Sequence, residues 1–121
     1  MVLFDTNAIL RYILQDNKEM ADSVELQLSK EVAYILVEVI AEVVYVLSKV
    51  YSVERKVIAQ IIMDITQTNK ISVINKTVVH YALGIFASSS LDFVDCLLVA
   101  YAKEEQYSIF TFDKKLQKYL R

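Results

Sequence analysis

A three-layer α/β/α domain with a mostly parallel central sheet is the fold this sequence predicts, and three observations predict it. Short runs of β-prone residues, Val2 to Phe4, Ile71 to Ile74 and Ser108 to Phe112, alternate with longer stretches at helical spacing. The runs are brief and apolar, as in strands covered by helices on both faces. No repeat, low-complexity segment or linker interrupts the 121 residues, so residues 1–121 are expected to form a single domain.

Each element has its own warrant. Val2-Leu3-Phe4 is expected as a strand buried on both faces; Asp5 ends it, and Thr6 can cap a helix over Ala8 to Leu14. Gln15-Asp16-Asn17 is a turn, and Lys18 to Ser29 a surface helix with Met20, Val24, Leu26 and Leu28 available for one face. Val32 to Ile35 fits a short strand or the start of the next helix, and periodicity does not decide. Leu36 to Val50 is too long for a strand and apolar nearly all round, as in a helix buried on most sides. Val53 to Gln67 brings Val57, Ile58, Ile61, Ile62 and Ile65 to helical spacing, which makes an antiparallel pair with the preceding helix. Ile71 to Ile74 is a strand, and Thr77 to Phe86 a helix that Ser88-Ser89-Ser90 breaks. Asp92 opens a helix to Glu105; Ser108 to Phe112 is the last strand, and Asp113 leads a short terminal helix with Leu116 and Leu120 inward.

Composition narrows the function classes. Hydrophobic residues make up 55% and charged ones 23%, enough for a dense core without disulfide or metal staples. The net charge of −2 gives no support for a long nucleic-acid footprint, although Lys114, Lys115, Lys118 and Arg121 make the end of the chain basic. Those cations suit either a solvated helix end or a patch that contacts phosphate. Cys96, the one cysteine, is expected as a packed thiol, which suits a reducing cytoplasm. No leader pattern is visible at the start, and Val32 to Leu47 is too short and too charged to span a bilayer, so no membrane role is expected. Gly84 is the only glycine, which excludes a glycine-rich phosphate loop. His80, the one histidine, is expected on an exposed helix edge without a partner, and the eight tyrosines are too scattered for a stacking platform.

The chemistry-bearing candidates are acids. Asp5 and Asp113 each follow an expected strand, and Asp92 and Asp95 share the first turn of one helix. Glu42 lies among Val39, Ile40, Ala41, Val43 and Val44, where a carboxylate either costs several kcal/mol to desolvate or takes up a proton. Alternatively it shares a solvated stripe with Glu38, one turn earlier. Asp5, Asp92 and Asp113 also have plain readings as helix caps. In an open parallel sheet, ligand sites form at the carboxyl edge of the strands, where three of these places would meet. Gathered carboxylates repel one another, and a hard divalent cation with oxygen ligands relieves that.

These residues resemble the PIN-domain ribonucleases, and within them the VapC-like toxins of prokaryotic toxin–antitoxin pairs. The likeness is carried by Leu3-Phe4-Asp5-Thr6-Asn7, by Glu42 within Val39 to Leu47, by Asp92-Phe93-Val94-Asp95-Cys96-Leu97-Leu98-Val99-Ala100, and by Phe110-Thr111-Phe112-Asp113. The resemblance implies a metal-dependent endoribonuclease in which Asp5, Glu42, Asp95 and Asp113 coordinate Mg²⁺ or Mn²⁺. It further implies that Asn7 and Thr111 orient those carboxylates and that Asp92 supports them. Cys96 stands where the family usually has a small alanine. A homodimer and a cognate antitoxin, whose cationic side chain enters the acidic groove, are also implied. Two other readings keep the fold: a non-catalytic module that binds RNA or a protein, and a structure-specific DNA nuclease.

Overall fold

Three short strands pair in parallel and organise the chain. The computed structural model describes all residues, Met1–Arg121. In chain order the elements are β1 (Val2–Leu3), α1 (Thr6–Leu14), α2 (Lys18–Lys30), β2 (Ala33–Ile35), α3 (Val37–Lys49), α4 (Arg55–Thr66), β3 (Ile71–Val73), α5 (Lys76–Ser88), α6 (Phe93–Glu105) and α7 (Lys114–Tyr119). The strand order is β1-β2-β3, with Val2 opposite Ala33, and Tyr34 opposite both Leu3 and Ser72. Helices link the strands, as parallel pairing requires, and the whole is a three-layer α/β/α arrangement.

The core sits between the central strand and the helices packed on it. Ala33 and Ile35 of β2 are fully buried, as are Ile9, Ile40, Leu47, Ile58, Ile62 and Leu83 from four different helices. Each such aliphatic side chain contributes about 1.5–3 kcal/mol through burial. Val32 to Ile35 resolves as a strand because its neighbours on both sides satisfy its backbone; Ala33 N–H, for example, donates to the Lys70 carbonyl at 2.9 Å. No helix is long and apolar enough to cross a membrane.

Four expectations need correction. β1 has only β2 beside it, so it is an edge strand rather than one buried on both faces, and Leu3 is 62% exposed. Ser108 to Phe112 forms no strand: none of its backbone groups pairs with another backbone group, and Phe110 and Phe112 stand in solvent. α3 is not buried on most sides, because Ile40, Val43, Val44 and Leu47 share the inner face while Glu38, Glu42, Tyr45 and Lys49 form an outer stripe. His80 has a partner after all. Its Nε2 lies 2.7 Å from Oγ1 of Thr66, the one buried polar residue, so the pair joins α4 to α5.

Candidate acidic site

Asp5 stands where β1 gives way to α1. It is the N-cap, its Oδ1 accepting from Ala8 N–H at 2.9 Å, and Thr6 is the first helical residue rather than the cap. Asn7 is exposed and its side chain makes no hydrogen bond. Asp92 holds the N-cap position of α6 with an extended backbone, yet its carboxylate makes no capping bond and stays uncommitted. Its carbonyl accepts from Cys96 N–H at 3.0 Å, which fixes the first turn that carries Asp95.

Asp95 is half-buried. Its carboxyl is held above the usual aspartate range, first by burial and then by the negative charges of Asp92 and Asp113, with Lys115 opposing them. That places Asp92, Asp95 and Asp113 in one electrostatic neighbourhood. Asp113 caps α7, its Oδ1 accepting from Lys115 N–H at 2.9 Å and Leu116 N–H at 3.1 Å. Thr111 Oγ1 in turn accepts from Asp113 N–H at 3.0 Å. Lys115 Nζ donates to Ser90 Oγ and Leu116 is buried, so α7 is tied back to the corner between α5 and α6.

Beside these acids lies a cleft of about 460 Å³, lined among others by Tyr45, Ser48 and Lys49 of α3, Arg55 of α4, and Asp92, Val94 and Asp95. Sequence reasoning missed Arg55. Its Nε donates to the Phe86 carbonyl at 2.8 Å, a second guanidinium nitrogen donates to the Leu91 carbonyl, and the cation stacks 3.7 Å above the Phe86 ring. These contacts staple the end of α5 to the start of α6, and no carboxylate pairs with the charge. Phe86 and Phe93 pack edge to face at 5.7 Å in the same corner. No local pattern foretells Arg55, because its partners lie more than thirty residues away.

Glu42 is exposed on the stripe with Glu38, so the expected desolvated carboxylate is replaced by a solvated one. Neither Glu42 nor Asp5 is among the charges acting on Asp95. As the side chains stand, no three acidic, histidine or cysteine residues are arranged to hold a metal ion. Of the four candidate acids only Asp5 closely follows a strand, with Phe4 between it and β1, since no strand precedes Asp113.

The chemistry of the donors nevertheless fits a hard cation. The acids around Asp95 offer carboxylate oxygens, and the like charges of Asp92, Asp95 and Asp113 would be relieved by a divalent ion. Softer donors are spoken for: His80 is bonded to Thr66, and Cys96 is fully buried with its thiol pushed up to about 11, chiefly by burial.

Comparison with known proteins gives one family. The PIN domain model matches residues 2–120, nearly the whole chain. No curated protein and no solved structure matches it. PIN domains act on nucleic acids, and theirs is typically a nuclease fold. With its parallel three-stranded sheet, helices on that sheet, and a match that spans nearly its full length, the chain belongs to the PIN-domain family.

Proposed function

We propose that this PIN domain is a Mg²⁺- or Mn²⁺-dependent endoribonuclease. The observation that supports it most is the cleft lined by Asp92 and Asp95 together with Lys49 and Arg55, with the charge of Asp113 acting on Asp95. Asp5, Glu42, Asp95 and Asp113 would hold the cation. When bound, it supplies an activated water and offsets the charge that builds on the phosphoryl oxygens. The chain's own residues do the rest. Asp92, with no capping bond to lose, adds negative charge next to Asp95. Thr111 fixes the backbone of Asp113. Lys115 brings a positive charge to the same neighbourhood for a substrate phosphate.

The test is RNA cleavage with and without Mg²⁺ or Mn²⁺ in the parent, Asp5→Asn and Asp95→Asn. Asparagine keeps the capping ability of aspartate while removing its charge, so the variants separate chemistry from folding. Cleavage should require the metal and fall at least about a hundredfold in both variants. Equal cleavage by all three, or cleavage that survives a chelator, rejects the reading. Competition between RNA and flapped DNA decides between RNA and DNA as substrate; the net charge of −2 favours the smaller footprint of a looped or single strand. The reading as a binding module draws on the absence of a ready chelating group. Metal-independent RNA binding without turnover would favour it.

The toxin of a toxin–antitoxin pair, working in the cytoplasm, is the setting we propose. The free thiol of Cys96 suits a reducing compartment. Co-expression with the product of a short upstream reading frame should suppress cleavage. A homodimer is proposed as well, on the exposed apolar side chains of the α3–α4 pair and its link, Tyr45, Val50, Tyr51 and Val57. Light scattering that finds only monomer at micromolar concentration removes it.

A further inference from the structure

Phe110 and Phe112 are 87% and 86% exposed, an extreme for phenylalanine in a folded chain. Their rings meet edge to face at 5.3 Å with an interplanar angle of 90°, so one offers its face beside the other's edge. The segment between them is pinned. Gln117 Nε2 donates to the Thr111 carbonyl at 2.8 Å while Thr111 Oγ1 accepts from Asp113 N–H. The aromatic pair is therefore displayed in a set geometry, one residue from Asp113, whose charge reaches Asp95.

Charge completes the surface. Lys114 and Lys118 are four apart on α7, hence on one face, and neither ammonium enters a hydrogen bond or ion pair. From Lys114 to Arg121 the chain carries four cations and no acid. Flat exposed rings next to unpaired cations match a strand that offers bases and phosphates together. A second copy of this chain fits less well, because a two-fold contact would set these lysines against their own counterparts.

We infer that Phe110 and Phe112 form a stacking platform for an unpaired base of the RNA, with Lys114 and Lys118 on the flanking phosphates, feeding the strand to the acids at Asp95 and Asp113. This rests on the nuclease reading above and assigns a binding subsite to that site.

The experiment is fluorescence anisotropy of a fluorescein-labelled single-stranded RNA, about 12 nucleotides long to fit one such site, titrated with protein in EDTA so that binding is read without metal-assisted cleavage. Phe110→Ala and Phe112→Ala should each weaken binding about tenfold, while Phe110→Tyr and Phe112→Tyr stay within about twofold. Lys114→Gln and Lys118→Gln should each lower the slope of log K against log salt by about 0.7. The Phe→Ala variants should leave that slope alone. Unchanged RNA affinity in both Phe→Ala variants overturns the platform and leaves metal-dependent cleavage standing. Light scattering in which Phe→Ala splits a dimer, with RNA affinity kept, assigns the rings to self-association and also overturns it. A parent that neither binds nor cleaves RNA removes both the platform and the nuclease reading.

Discussion

Val2-Leu3-Phe4-Asp5 at one end of the chain and Phe110-Thr111-Phe112-Asp113 near the other share a local pattern: β-prone residues, a phenylalanine, then an aspartate that caps a helix. Both caps form. Only the first run becomes a strand, because Phe4 N–H donates to the Tyr34 carbonyl at 3.0 Å and the phenyl ring is buried in the core. The second finds no strand to pair with and leaves its rings in water. A cap needs one residue and its own helix, whereas a strand needs a partner that the local sequence does not contain.

The largest effect that tests this contrast is on stability. Phe4→Ala removes a buried ring and should cost about 3–5 kcal/mol. Phe112→Ala, at the equivalent place before the other aspartate, should stay within about 0.5 kcal/mol, since it removes nothing from the core. Urea unfolding of the two variants under identical conditions gives the comparison directly. A cost above about 1 kcal/mol for Phe112→Ala would mean that the second run packs on the protein in solution, and the contrast would fail.

A smaller pair of effects concerns the caps. Asp5→Ala and Asp113→Ala each lose a helix cap, with an expected cost of about 1 kcal/mol. The loss should be felt differently. α1 carries Ile9 and Leu10 into the core, so Asp5→Ala should lower the urea midpoint of the whole domain. α7 contributes only Leu116 to that core, so Asp113→Ala should chiefly speed amide exchange at Lys115 and Leu116, whose N–H groups the carboxylate holds. Equal falls in global stability would show α7 to be as deeply integrated as α1.

How much of this was legible in the sequence follows the same division. The helices were, because their spacing and caps are local: α2, α4 and α6 begin and end within two residues of where their apolar patterns place them. β2 was ambiguous, since Val32 to Ile35 carries no period and is a strand only because β1 and β3 flank it. At the site, the grouping of Asp92 with Asp95 was visible as one helical turn, and so was the alternative for Glu42. Glu38, Glu42, Tyr45 and Lys49 recur at helical spacing, and that stripe, rather than the apolar neighbours in sequence, decides where the carboxylate points. Arg55 and the Thr66–His80 pair were beyond reach, because what defines them is contact across separate helices.

His80 provides the last and smallest test, and it separates the two regions by acidity. It belongs to α5, which packs chiefly on α6 and α4 and also touches β3. Burial first, and the nearby charge of Lys76 second, hold its pKa below the usual 6.5. The folded protein therefore resists a proton that the unfolded chain accepts. Stability on this account is level above the unfolded pKa and declines as pH falls from there towards the folded one. Its magnitude is modest because the imidazole keeps part of its solvent contact. The melting temperature should thus drop between about pH 7.5 and pH 5.5, and the drop should be smaller in His80→Gln. Glutamine keeps an amide donor for Thr66, so the difference between the two curves isolates the titration from the hydrogen bond. Amide exchange in α7, corrected for the intrinsic effect of pH, should show no such difference between parent and variant, because Asp113 and its partners are not coupled to α5 through His80. Parallel melting curves for parent and His80→Gln would mean that the imidazole is freely solvated and the α4–α5 contact open, and His80 would then report nothing about the paired half of the molecule.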